Sequence, residues 1–566
     1  MRRLRRVWVL PLATLSACVV PAAAGASTGL ATPADAGDDI QVAPVADVNP
    51  AGGSTPTGMT AFGDAVYFAA DDGTPGGELW RTDGRGVEFV ADIAGADSGY
   101  LAHLTKLDAH LYFVADDDIH GAELWRTDGD VTELVADIAP AAASSWPYAL
   151  TAFGDHLYFR ADDGSSGREL WRTDGTATEL FADINPAGDS AFGIQTGDLA
   201  VLGDHLYFRA YEPAVGDELW RTDGGTFELV ADINVNGGSS PRTMTIWGDR
   251  LYFVATNPNG SDLWWTDGTA TQPVQTALLQ GVESPLGLTV FGDHLYFSAR
   301  DAIWGTELWR TDGTTAERVA DINELNGSAN PGGLTALGDH LYFSADDGTS
   351  GYELWRTDGT TTEMTADIST TGGSSPHLLT AAGDWLYFTA FELDTGYELW
   401  RTDGEVTALV HEIVDGPSSG GLQGLFAHGS DLYFSADDGK IGRELWRAGS
   451  PLPVVSASLS MDDSATSTGD RVRASVTVQA HEPLTDVTIT LVVPDDVRVT
   501  PGVRTIDALA EGEEHAVRFT VCADEPATYP VTVRIDARST TGASVTFDGA
   551  SQELVVQKDG PARCGG

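Results

Sequence analysis

Tryptophan returns through most of this chain at an almost constant interval, and that interval restricts the fold more than any other feature. Trp80, Trp125, Trp171, Trp220, Trp264, Trp309, Trp355, Trp400 and Trp446 are separated by 45, 46, 49, 44, 45, 46, 45 and 46 residues. Each sits in a variant of one phrase, Gly167-Arg168-Glu169-Leu170-Trp171-Arg172-Thr173-Asp174-Gly175 in the third copy. A second phrase runs in step: Val66-Tyr67-Phe68 first, then Leu-Tyr-Phe starting at Leu111, Leu157, Leu206, Leu251, Leu295, Leu341, Leu386 and Leu432. Self-similarity at a fixed period of this length marks stacked supersecondary units, none of which can bury its apolar face alone.

Within the third unit the pattern predicts four short strands, at 149–153, 156–161, 168–173 and 179–184, each bounded by turn residues. Gly154-Asp155 joins the first pair and Asp174-Gly175 the last, residues that tolerate the positive φ angles of tight hairpins. The adjacent apolar pairs Tyr158-Phe159 and Leu170-Trp171 break strict alternation, as expected for strands covered on both faces. A four-stranded blade wedged between neighbouring blades supplies that environment, and a period near 45 residues suits a propeller.

The two ends of the array complement each other. The ninth unit stops after Glu444-Leu445-Trp446-Arg447 without a fourth strand, while Val45-Ala46-Asp47-Val48-Asn49 matches the fourth-strand sequence Val230-Ala231-Asp232-Ile233-Asn234. Residues 43–48 are therefore expected to dock as the outer strand of the last blade, leaving no open edge. From Pro451 the repeat gives way to alternating segments such as Arg471-Val472-Arg473-Ala474-Ser475-Val476-Thr477-Val478 and Val531-Thr532-Val533-Arg534-Ile535. The expected fold class is all-β: a single closed β-propeller of about nine four-stranded blades over residues 43–449, then an immunoglobulin-like β-sandwich over 451–557 and a tail at 558–566.

The repeated phrase resembles the ELWxxDGT repeat of secreted and surface proteins of bacteria and archaea. That resemblance implies a scaffold on extracellular proteins and brings no catalytic residues with it. The fifth unit departs from the phrase, with Asp262-Leu263-Trp264-Trp265 where others read Glu-Leu-Trp-Arg. The segment from 451 is similar to the Ig-like, CARDB-type accessory modules appended to such proteins.

Residues 1–26 read as an export signal: Arg2, Arg3, Arg5 and Arg6, an apolar run from Val7 to Val20, and a small-residue cleavage site at Ala24-Gly25-Ala26. Leu15-Ser16-Ala17-Cys18 also fits a lipoprotein box, so Cys18 could carry a lipid anchor, and both a secreted and a lipid-anchored protein fit the sequence. A linker at 27–42 follows. No later apolar run reaches the length of a transmembrane helix. With Cys18 removed, Cys522 and Cys564 form an even pair that an oxidising compartment should bridge. The formal charge of −52 argues against nucleic acid or an anionic membrane as partner.

The search for chemistry finds no Gly-x-Ser-x-Gly elbow, His-Glu-x-x-His helix, Walker loop or dinucleotide fingerprint. His110, His156, His205, His294 and His340 recur one per unit before the Leu-Tyr-Phe strand, a spacing that suits turn capping better than joint metal ligation. Glu and Arg of Glu-Leu-Trp-Arg are replaced together in the fifth unit and are expected to form a structural ion pair between strands or blades. Asp71-Asp72, Asp162-Asp163, Asp346-Asp347 and Asp437-Asp438, each followed by Gly, could supply oxygen ligands to calcium, although Asp-Asp-Gly is also ordinary turn chemistry.

In a four-stranded meander the first and third connections leave one face, and the second connection and the crossover leave the other. The first face carries uniform Gly-Asp and Asp-Gly hairpins, and the second carries loops that differ from unit to unit, such as 140–148, 185–197, 211–217 and 323–333. Trp146, Tyr148, Phe192 and Trp304 lie in these loops as candidate ligand-binding residues. The expected function is an extracellular or cell-surface binding or adhesion scaffold for a glycan or surface protein. The alternative is a propeller-fold polysaccharide lyase or glycoside hydrolase, whose paired carboxylates the sequence does not single out.

Overall fold

The computed structural model describes residues 40–557 apart from 75, 94–99, 191–198, 259, 277–282, 302, 325–326, 453, 463–464, 468–469, 495, 511, 524 and 540–543. The export signal, Cys18, Phe192 and Cys564 lie outside the described residues. Every regular element described is a strand, and the chain divides into two compact units, Met1–Ser450 and Pro451–Gly566.

The first unit is propeller-like. Its described residues form nine sheets, eight four-stranded and one five-stranded, mostly antiparallel meanders in chain order. The extra strand, Gln275–Thr276, runs parallel to Thr315–Arg318 at a sheet edge. The third sheet is typical, with strands Tyr148–Phe153, His156–Asp162, Arg168–Thr173 and Thr178–Ala182. Its fourth strand stops short of the expected residue 184. The register slips between Leu170 and Trp171, and the chain leaves the sheet after Ala182, freeing the N–H of Ile184 for a side-chain acceptor.

Neighbouring sheets share apolar layers, which accounts for the paired apolar residues in each strand. Tyr158, Leu170 and Ala182 of one sheet meet Leu206, Phe208 and Ala210 of the next. Tyr158 and the adjacent Phe159 are both fully buried, because opposite faces of one strand meet different neighbours. The first strands of successive sheets touch in turn, and Gln423–His428 of the last touches Thr57–Phe62 of the first. Val66 and Phe68 share a core cluster with Tyr433 and Leu445.

Gln41–Pro44 pairs antiparallel with Arg443–Gly449, from Gln41 opposite Gly449 to Pro44 opposite Trp446. This strand starts two residues inside the expected linker and ends before the expected residue 48. The N–H of Val45 still bonds the Leu445 carbonyl at 2.7 Å. Residues 46–48 then depart as the other fourth strands do, and the N–H of Val48 turns to the Glu444 carboxylate.

The second unit packs two sheets on one core. One orders Val455–Met461, Val472–Ala480, Glu514–Ala523 and Val497–Thr500. The other orders Ala465–Ser467, Ser544–Gln557, Thr528–Ser539, Leu484–Val492 and Val503–Leu509. Val476 and Phe519 from the first meet Ile489, Val533 and Leu554 from the second. Cys522 is buried and disulfide-bonded.

Candidate binding face

The hairpin face is built from one repeated set of bonds. In the third unit Asp174 Oδ1 accepts the N–H groups of Thr176 and Ala177 at 2.7 and 2.8 Å, and Thr173 Oγ1 accepts that of Gly175. Those backbone donors hold the Asp174 carboxyl below its usual range. Arg172 pairs with Glu179 on the next strand and donates to the Gly224 carbonyl of the following unit at 2.6 Å. The expected ion pair between the Glu and Arg of the phrase across strands or blades is therefore corrected, because the Arg172 guanidinium meets Glu179 on the next strand, seven residues on, and not a glutamate of the phrase. Arg81 with Glu88, Arg126 with Glu133, Arg221 with Glu228, Arg310 with Glu317 and Arg356 with Glu363 repeat the pair.

The hairpin glycine is demanded by the preceding unit. A Cβ at Gly129, where φ is +98°, would lie 2.9 Å from Tyr67 Oη, and one at Gly84 would lie 2.7 Å from Tyr433 Oη. The first unit thus sits on the ninth as the second sits on the first. In the irregular fifth unit Trp265 occupies the arginine position, and Arg250 stacks on it with 3.9 Å to the ring centroid while donating to Gly313. A swapped arginine restores the missing bond, which explains how the unit tolerates its departure. The recurring histidines lie against the tyrosine two residues on, as His156 does against Tyr158 at 6.2 Å between centroids.

The glutamate of the phrase, present in every unit but the fifth, faces the opposite rim, and its role was missed in the sequence. Glu169 is fully buried and accepts the N–H groups of Ile184 and Ser190 at 3.0 and 2.9 Å and the Ser190 hydroxyl at 2.5 Å. Glu123 does the same with Ile138 and Ser145, and Glu353 with Ile368 and Ser374. Each therefore pins the crossover to its own sheet, satisfying donors that would otherwise be buried unpaired. A serine 21 or 22 residues after the glutamate was the available signal.

Burial pushes the Glu169, Glu307, Glu353 and Glu398 carboxyls up to about 7 from 4.5, against the lowering influence of their N–H donors. Such groups favour the folded state fully below 4.5 and lose that contribution as pH rises through about 7. The turn aspartates act in the opposite sense: Asp312, held at about 2 by backbone and threonine donors, contributes above 3.8 and loses it as pH falls through about 2. The thermal midpoint is thus expected to peak between 3.8 and 4.5 and fall toward neutrality, with self-repulsion of the acidic chain acting in the same direction. Thermal melts across this range check it, and a midpoint that climbs steadily to neutral pH would contradict it.

On the variable-loop rim the predicted residues separate. Trp146 is 45% exposed, in a left-handed backbone conformation at φ 47°, with its ring edge-on to Tyr100 at 5.1 Å between centroids. Tyr100 in turn lies 3.4 Å from His103 Nε2, and neither residue was expected from the sequence. Tyr148 is corrected: it is buried in its strand opposite Arg160, whose guanidinium lies over its ring, because the backbone turns left-handed at Ala149. Trp304 is half-buried beneath Arg318 at 4.3 Å, so it covers its own sheet instead of standing free. Phe192 is outside the described residues. Ile119, Val235, Ile303 and Leu393 project from the same kind of loop, each at least 60% exposed.

The aspartate pairs lie in four different sheets and do not come together. In each, the first carboxylate accepts the N–H two residues on, as Asp162 does from Gly164, Asp346 from Gly348 and Asp437 from Gly439. Asp163, Asp347 and Asp438 accept two further N–H groups each. Asp71 and Asp72 make the same turn, bonding Gly73 and Thr74, and among the described residues they alone join a third carboxylate, Glu78, in a group with metal-ligand spacing.

No curated protein matches the chain. Among solved structures, a chain from an analysis of two prolyl endopeptidases matches at 12% identity and TM-score 0.33, covering 59% of this chain. This chain spans 54% of that one, about half its length. The β-propeller domain of the Trilobed protease from Pyrococcus furiosus matches at 12% identity and TM-score 0.29, with 55% of this chain and 97% of that chain covered. A CARDB domain from the same organism matches at 11% identity and TM-score 0.15, over 19% of this chain and 96% of that one. In its repeats, over residues 63–321, this propeller-like chain is similar to the PQQ_2 family, described as outer membrane protein assembly factor BamB.

Proposed function

We propose that the first unit is a single closed propeller of nine blades, of the ELWxxDGT repeat type, followed by an immunoglobulin-like domain, and that it serves outside the cytoplasm as a binding scaffold. The observation that carries the reading is the contrast between its rims. On the hairpin rim the recurring Arg, Asp, Thr and Gly are engaged in bonds within or between units and Val131 is an exposed apolar tip, whereas the loop rim presents five such side chains to solvent, Trp146, Ile119, Val235, Ile303 and Leu393. Apolar side chains held at exposed loop tips suit contact with a ligand surface, either the face of a sugar ring or a protein side chain. A family model named for a protein assembly factor agrees with a scaffold that binds without turning its ligand over.

Trp146, with Tyr100 beside it, is the proposed centre of contact. Trp146→Ala is expected to weaken retention of a bound glycan polymer or surface protein by about 1–3 kcal/mol, the range for truncating an aromatic anchor. Asp174→Ala on the other rim should lower stability and leave binding unchanged. A glycan-array screen with a cleavage assay on the same polymers tests both this reading and the lyase or hydrolase alternative. Cleavage abolished by changing one loop carboxylate would establish the enzyme, and retention by the second unit alone would move the site off the loop rim.

A further inference from the structure

The acidic turn of the first repeat unit differs from its copies at one buried atom. Glu78 is 1% exposed, yet among the described residues its Oε1 has no hydrogen-bond partner. Its Oε2 accepts the N–H of Asp72 at 3.1 Å, inside the turn itself. Its counterparts Glu123, Glu169, Glu218, Glu307, Glu353, Glu398 and Glu444 instead accept N–H groups of the chain that follows or closes their sheet. The reason is local. The outer strand Val87–Asp92 runs one residue further than its equivalents and pairs Asp92 with Glu78, where pairing in the third sheet ends at Leu170 and Ala182.

Three carboxylates consequently converge. One oxygen each from Asp71, Asp72 and Glu78 lies within 4.8 Å of the others, a span that metal–oxygen bonds of about 2.4 Å can bridge. Asp71 and Asp72 both reach solvent, which opens the group, while Glu78 is buried. The turn bonds use Oδ1 of both aspartates, so neither Oδ2 is engaged by the turn. Burial and the neighbouring Asp72, Asp71 and Asp92 charges push the Glu78 carboxyl up, a repulsion that a bound cation would relieve.

We propose that Asp71, Asp72 and Glu78 form a calcium site. All-oxygen ligands select a hard cation, and an irregular set drawn from one turn and one strand suits the flexible coordination of calcium better than the strict octahedron of magnesium. The site goes beyond the ligand-binding reading and does not depend on it. It lies where the first and last repeat units meet: the N–H of Asp71 bonds the Ser54 carbonyl, and Ser54 bonds Glu444 of the last unit. Occupancy should therefore stiffen the seam.

The test is calorimetric titration of the full chain, stripped of divalent ions, with calcium chloride and in parallel with magnesium chloride, alongside thermal melts. The expected result is one calcium-binding event that raises the melting midpoint. Glu78→Gln and the exposed Asp71→Asn should each weaken it on the order of tenfold or more, as expected when a charged ligand is lost. The double change Asp162→Asn with Asp163→Asn, in a turn whose glutamate is satisfied, should leave it intact. Absence of calcium binding, equal affinity in all variants, or loss only in the Asp162/Asp163 variant would overturn the site, and equal binding of magnesium would overturn its assignment to calcium. Asp71→Asn decides the matter if Glu78→Gln does not fold.

Discussion

A chain beginning at residue 50 should melt earlier than one beginning at residue 27 and should associate as its concentration rises. The truncation removes the strand Gln41–Pro44, so the last sheet loses its pairing from Gln41 to Pro44 along Arg443–Gly449. It also removes Val48, which is 8% exposed and shares a cluster with Phe68 and Tyr433 across the seam between first and last sheets. The edge so uncovered would be a row of unpaired N–H and carbonyl groups on Arg443–Gly449, open to another chain. Light scattering coupled to size exclusion, with thermal melts, reads both effects. A monodisperse truncated protein with an unchanged midpoint would show that these residues do not close the array.

The second large effect is expected at a single carboxylate. Glu169→Ala leaves the N–H of Ile184 without an acceptor in a buried site and reduces the Ser190 N–H and hydroxyl to the Arg168 carbonyl alone. One buried donor left unpaired costs about 1–3 kcal/mol and the weakened Ser190 bonds add to it, so a net loss of about 2–4 kcal/mol is expected in urea unfolding. Glu444→Ala removes an equivalent set, the N–H groups of Val48 and Ser54 and the Ser54 hydroxyl, but these bonds join positions 396 and 390 residues apart. It should match Glu169→Ala in local cost and, unlike it, also promote association as the truncation does. If the two variants behave alike, the seam does not depend on Glu444.

The architecture was legible because it is written in local repetition. The strands of the third unit could be placed within two residues from Gly154-Asp155, Asp174-Gly175 and the apolar pairs, since hairpin geometry depends on neighbouring residues. The glutamate was misread because its partners lie 15 to 21 residues away in crossovers of varied sequence, while its replacement together with the arginine in the fifth unit suggested that the two pair. Tyr148 was misread for a different reason. It was counted as the last residue of the loop 140–148, but it opens the strand opposite Arg160, and the irregular register between Tyr148 and Thr151 hides that start from the pattern. Trp146 could be placed on the rim, but its companions Tyr100 and His103 come from the preceding crossover and strand, a juxtaposition that only folding creates.

The bond from Val48 to Glu444 also has a bearing on time. Most interlocks between sheets join units adjacent in the chain, so the array can grow behind its leading end as each repeat becomes available. The seam is the exception, for its two halves are 396 residues apart. Bringing such distant points together costs on the order of 5 kcal/mol in chain entropy when nothing between them is ordered, and much less once the intervening units have curved the ends toward each other. Synthesis delivers the N-terminal residues first, so residues 41–48 have no partner until the ninth unit follows. The interval between those events is the period in which a second molecule can capture the waiting strand, and its length is governed by the rate at which the last repeat is delivered.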